Sequence, residues 1–122
     1  MKRNFTNQER LEINAMLNNE IDRRQADIKK AFDRGEDILL MDNHRRDFQL
    51  ATWRFAGMKT PNSSLAVEIH ELERTAADWQ KLAGKGSFIE AKIIGRKIAM
   101  IQTVIFDLKN EAAPVGEQQQ LF

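Results

Sequence analysis

Apolar residues recur along this chain at spacings of three and four. The cleanest run is Leu65, Ile69, Leu72, Ala76, Trp79 and Ala83, whose 4-3-4-3-4 steps put all six on one helical stripe. A second run, Ala91, Ile94, Ile98, Ile101, Ile105 and Leu108, steps by 3-4-3-4-3 and predicts another. Ile93, Met100, Val104 and Phe106 lie off that second stripe, so this helix has an apolar face wide enough for two neighbours or for a second subunit. Upstream, Ile13, Leu17, Ile21, Ile28 and Phe32 recur at helical spacing, with Arg24 interrupting the stripe. Ile38, Met41, Phe48, Ala51 and Phe55 lie near one helical face, although Ile38–Met41 and Phe48–Leu50 also read as short strands.

The helix ends are written in polar residues. Thr6 with Glu9, and Ser87 with Glu90, each form a capping box in which hydroxyl and carboxylate satisfy orphan backbone donors. Gly35, Gly57, Gly84 and Gly86 act as stops, and Lys59-Thr60-Pro61-Asn62-Ser63-Ser64 is the clearest internal loop, with Pro61 suited to the turn or to the first helical position. Helices are therefore expected at about 7–34, 37–57, 62–83 and 88–110, forming an all-α, antiparallel four-helix bundle in residues 1–110. Residues 111–122 lack helical periodicity and read as a flexible tail.

Composition narrows the function classes. A chain of 122 residues fits one domain, and 42% hydrophobic with 30% charged residues describes a packed, soluble protein. Only two prolines and no tyrosine occur, which is poor material for a large sheet. A net charge of +1 indicates neither a polycation nor a nucleic-acid mimic. The absence of cysteine excludes disulfides, thiolate nucleophiles and cysteine-ligated zinc, and no apolar run approaches membrane-spanning length. A cytoplasmic, non-membrane protein is expected.

Candidate chemistry in the body of the chain is thin. Glu68 and Glu71 share a helical face, with Asp78 seven residues further on, and such carboxylates could hold a divalent metal. They faintly resemble the carboxylate helices of all-α nucleotide pyrophosphohydrolases, but the second acidic helix is missing, and a solvated acidic face is preferred. His44 and His70 have neither ligand spacing nor a nucleophile, and read as surface residues. Trp53 and Trp79 read as core aromatics. No phosphate-binding glycine loop occurs, so neither a cofactor nor an enzymatic activity is expected. Basic residues of the first two helices are interleaved with aspartates and read as paired surface charge, whereas Lys85, Lys92, Arg96 and Lys97 form a candidate nucleic-acid contact.

The tail carries the specific signal. Gln118-Gln119-Gln120-Leu121-Phe122 has the form Gln-x-x-Leu-Phe, which resembles the bacterial sliding-clamp-binding peptide. In proteins bearing that peptide the glutamine contacts the rim of a clamp pocket, while the leucine and the aromatic residue enter an apolar cleft. The resemblance implies those roles for Gln118, Leu121 and Phe122. Gln119 replaces a common leucine and Gln120 a common small or acidic residue, so one tail is expected to bind at roughly micromolar strength. Two tails on a dimer formed through helix 4 would add avidity. The expected role is modulation of DNA replication or repair, by a host accessory or a phage-encoded protein. The alternative is a dimeric DNA-binding or regulatory protein that uses the basic surface.

Overall fold

The computed structural model describes residues 6–60 and 63–112, with side chains to residue 110. Four helices occupy it: α1 (Asn7–Asp33), α2 (Leu39–Phe55), α3 (Leu65–Lys85) and α4 (Phe88–Ala112), and no strand occurs among the described residues. They form the expected antiparallel bundle, and the stretch from Leu39 to Phe55 is a helix rather than a pair of short strands.

Local chemistry explains the boundaries. The Thr6 hydroxyl accepts from the Glu9 amide at 3.0 Å while the Glu9 carboxylate accepts from the Thr6 amide at 2.9 Å. Ser87 and Glu90 make the equivalent pair at 3.2 and 2.8 Å. At the end of α1 the Glu36 amide donates to Ala31 O and the Gly35 amide to Phe32 O. That reversal needs the positive φ of 77° at Gly35, and Gly57, at 86°, closes α2 in the same way. The start of α3 differs from the expectation. It begins at Leu65, capped by the Ser64 hydroxyl, so Pro61 is not its first residue, and Pro61 itself lies outside the described residues. Its end passes through Gly84 to Lys85.

α3 and α4 pack most extensively, through the two stripes read above, and α2 lies against both α1 and α3. Leu17, Phe48, Ala51, Leu72, Ile101, Val104 and Leu108 are fully buried. The α1 stripe is rotated from the one expected. At ~100° per residue its buried face centres near Arg24, which places Ala31 inside and Phe32 outside. Phe32 is 66% exposed. Trp79 is buried as expected, but Trp53 is 39% exposed because it lies across α2 from Phe48.

Candidate functional site

The buried face of α1 delivers two charged residues, Glu20 and Arg24, into the bundle, and α3 answers with Glu71 and Thr75. Arg24 has a side chain only 11% exposed. Its Nε donates to Glu20 Oε2 at 2.9 Å, Nη1 to Glu71 Oε2 at 2.8 Å and Nη2 to Thr75 Oγ1 at 2.8 Å. Its guanidinium plane also sits 4.3 Å from the centroid of the Phe48 ring. Such a flat, forked cation suits this position, because it can bond edgewise to several acceptors while stacking on an aromatic face.

Glu71 is the hub. It accepts from Arg24, from Arg74 and from His44, whose Nδ1 lies 2.7 Å from Oε1. Against an ionised carboxylate that ring nitrogen must be the donor. A separate pair lies one helical turn earlier on α3, where Glu68, 1% exposed, accepts from Arg54 Nε at 2.7 Å, and Arg54 also donates to Ser63 Oγ at 2.8 Å.

The expectation of a solvated acidic face on α3 is therefore corrected. Glu68 and Glu71 are buried because each meets an arginine from another helix, and only Asp78, bonded to Arg74 at 2.9 Å, stays in solvent. The three acids do not converge. The oxygens of Glu68 and Glu71 already accept from arginine, and no cluster that could hold a metal ion occurs among the described residues. His44 is likewise half-buried and bonded rather than a free surface group, whereas His70 is exposed. The interleaved charges of α1 and α2 pair as read, in Arg23–Asp27, Lys29–Asp33 and Arg45–Asp42.

Burial alone would raise the carboxyls of Glu20 and Glu71. The hydrogen bonds from Arg23 and Arg24 to Glu20, and from Arg74, Arg24 and His44 to Glu71, outweigh it and hold both below their usual 4.5. Arg23 and Arg74 are correspondingly raised by their bonds to Glu20 and Glu71. A carboxyl depressed by folding contributes stability that is fully present above 4.5 and is lost as pH falls through the folded-state value. The urea midpoint should accordingly stay level from neutrality down to about pH 5 and drop below that. In Glu71→Gln the acid limb should be shallower; an unchanged limb would remove Glu71 from the explanation.

Lys85, Lys92, Arg96 and Lys97 are all exposed, at the end of α3 and on the first half of α4. None of them forms an ion pair among the described residues, unlike most arginines of α1 and α2, though Lys97 Nζ lies 5.9 Å from the Trp79 ring. Arg96 and Lys97 border a groove of about 460 Å³ where α1 and α4 barely meet, floored by Met16, Trp79, Ile93 and Met100. Sequence reading missed this groove, and the off-stripe Ile93 and Met100 were its only signal. Gln118, Leu121 and Phe122 lie outside the described residues. No helix among the described residues is long and apolar enough to cross a membrane. No protein-family model, curated protein or solved structure matches this chain.

Proposed function

We propose that this chain is a non-enzymatic interaction protein that docks on the bacterial replicative sliding clamp in the cytoplasm. Gln118 serves as the polar anchor and Leu121 with Phe122 as the apolar plug, and occupancy of the pocket modulates replication or repair by competing with or recruiting other clients. The observation that carries this reading is the Gln-x-x-Leu-Phe peptide itself, separated from the last residue of α4 by Ala113-Pro114-Val115-Gly116-Glu117. Pro114 and Gly116 disfavour continued helix, which suits presentation of an extended peptide away from the bundle. The saturated ion pairs of Glu20, Glu68 and Glu71 favour a scaffolding role for those groups over a catalytic one.

Calorimetric titration of clamp with the full chain should give a dissociation constant of roughly micromolar order. At about 1.5–3 kcal/mol for each buried side chain, the Leu121→Ala, Phe122→Ala double variant should bind at least about 100-fold more weakly. Equal binding by both proteins would remove the mechanism.

One observation favours a second reading. Lys85, Lys92, Arg96 and Lys97, which form no ion pair among the described residues, suit contact with nucleic-acid phosphates. Duplex DNA affinity that falls steeply with salt and survives removal of residues 117–122 would support it.

A further inference from the structure

The seam between α1 and α4 is closed along one half and open along the other. Val104 and Asp107, four and seven residues beyond Met100 on the same helical face, are 0% and 2% exposed, whereas Ile93, seven residues before Met100 on that face, is 53% exposed. The open half is the groove of about 460 Å³ floored by Met16, Trp79, Ile93 and Met100. That volume is in the range that takes a small ligand or a pair of large side chains.

We propose that this groove is a docking site for the chain's own Leu121 and Phe122, which it holds in cis and so withholds from the clamp. Length names the occupant. Met100 lies 12 residues before the last residue of α4, ~18 Å back along the helix. Ala113-Pro114-Val115-Gly116 has proline second and glycine fourth, the pattern of a type I turn that reverses the chain. An extended segment then advances ~3.3 Å per residue from Gly116, which sets Leu121 ~17 Å and Phe122 ~20 Å back, level with Met100 where the groove opens.

The chemistry agrees with the reach. Two of the four floor residues are methionines, whose flexible thioethers adapt to an incoming aromatic ring. On the rim, Glu20 is held by Arg23 and Arg24, while the Glu12 carboxylate accepts from the Gln8 amide at 3.1 Å. Arg96 and Lys97 make no ion pair among the described residues, so the uncommitted charge there is positive on balance. Residues 113–122 hold no Lys or Arg and one acid, Glu117, and therefore meet this rim without like-charge repulsion. The amides of Gln118, Gln119 and Gln120 can donate to Glu12 or accept from the cations.

The functional consequence rests on the clamp reading above. A short connection keeps the two side chains near the groove at roughly millimolar effective concentration, so a contact too weak to hold separate molecules together suffices within one chain. Clamp binding then draws on the undocked form, and its apparent affinity falls by the undocked fraction.

NMR of the full chain, labelled at its methionine methyls, is the test. Nuclear Overhauser contacts are expected between the Phe122 ring and the methyls of Met16 and Met100, unchanged on dilution. Ile93→Asp should abolish them, and at 53% exposure that position should tolerate the change with its helical circular dichroism intact. The variant should also bind clamp about 3- to 10-fold more tightly than the unaltered chain. Phe122→Ala, outside the bundle, should shift the same two methyl resonances. Absence of the contacts, or methyl resonances that ignore Phe122→Ala, would overturn the proposal. So would contacts that fade on dilution, since the groove would then hold the segment of a second copy. Equal clamp affinity of the two proteins despite lost contacts would overturn the masking. Clamp binding without the contacts would sink the docking and leave the clamp reading standing, and contacts without clamp binding by either protein would do the reverse.

Discussion

Arg24→Ala should destabilise the fold by about 3–5 kcal/mol, read as a lower urea midpoint at constant slope. The effect comes less from losing an attraction than from what stays behind. Glu20 and Glu71 would remain buried with fewer donors, Thr75 Oγ1 would lose its donor, and the Phe48 ring would lose the group covering it. Arg74, Arg23 and His44 continue to support the two carboxylates, which keeps the loss within that range. Arg24→Lys should recover only part of it, because an ammonium cannot bond edgewise to three acceptors and stack at once. Arg23→Ala is the control. That side chain is 57% exposed, and its removal should cost no more than about 1 kcal/mol. If Arg24→Ala were as mild as Arg23→Ala, the buried ion-pair layer would not be an organising element.

Phe48→Ala should cost a similar 3–5 kcal/mol, for a different reason. Phe48 is fully buried in the core cluster with Leu17, Leu72 and Ile101, so truncation removes its transfer energy and leaves a cavity between helices that cannot freely close. Because the ring also backs Arg24, the two substitutions share an interaction. The double variant should lose less than the sum of the singles, with a coupling of about 0.5–2 kcal/mol. Additive losses would show that the stack contributes nothing of its own.

These two residues mark what was and was not legible in the sequence. Phe48, Leu72 and Ile101 could be assigned to the core from spacing, since side chains three and four apart must share a helical face. Both capping boxes were legible because their partners are three residues apart. Arg24 read as a break in the stripe of α1, yet it is the middle of the buried face. Its partners Glu71 and Thr75 lie 47 and 51 residues away, and periodicity within one helix carries no information about such a pairing. The same gap turned Glu68 and Glu71 into an expected solvent face. Phe32 was drawn into the stripe by its hydrophobicity, but the helical phase set by Leu17 and Arg24 favours Ala31. The proposed clamp-binding peptide is the reverse case. Gln118, Leu121 and Phe122 are legible only as a motif, and no packing argument bears on them.

Displacement tests the proposed role most directly. A synthetic peptide of residues 113–122 titrated into a preformed complex of full chain and clamp should release the chain completely, with both competing for one site. Chain that stays bound to the clamp when the peptide is saturating would contradict the account, because the attachment would then lie in the helical bundle.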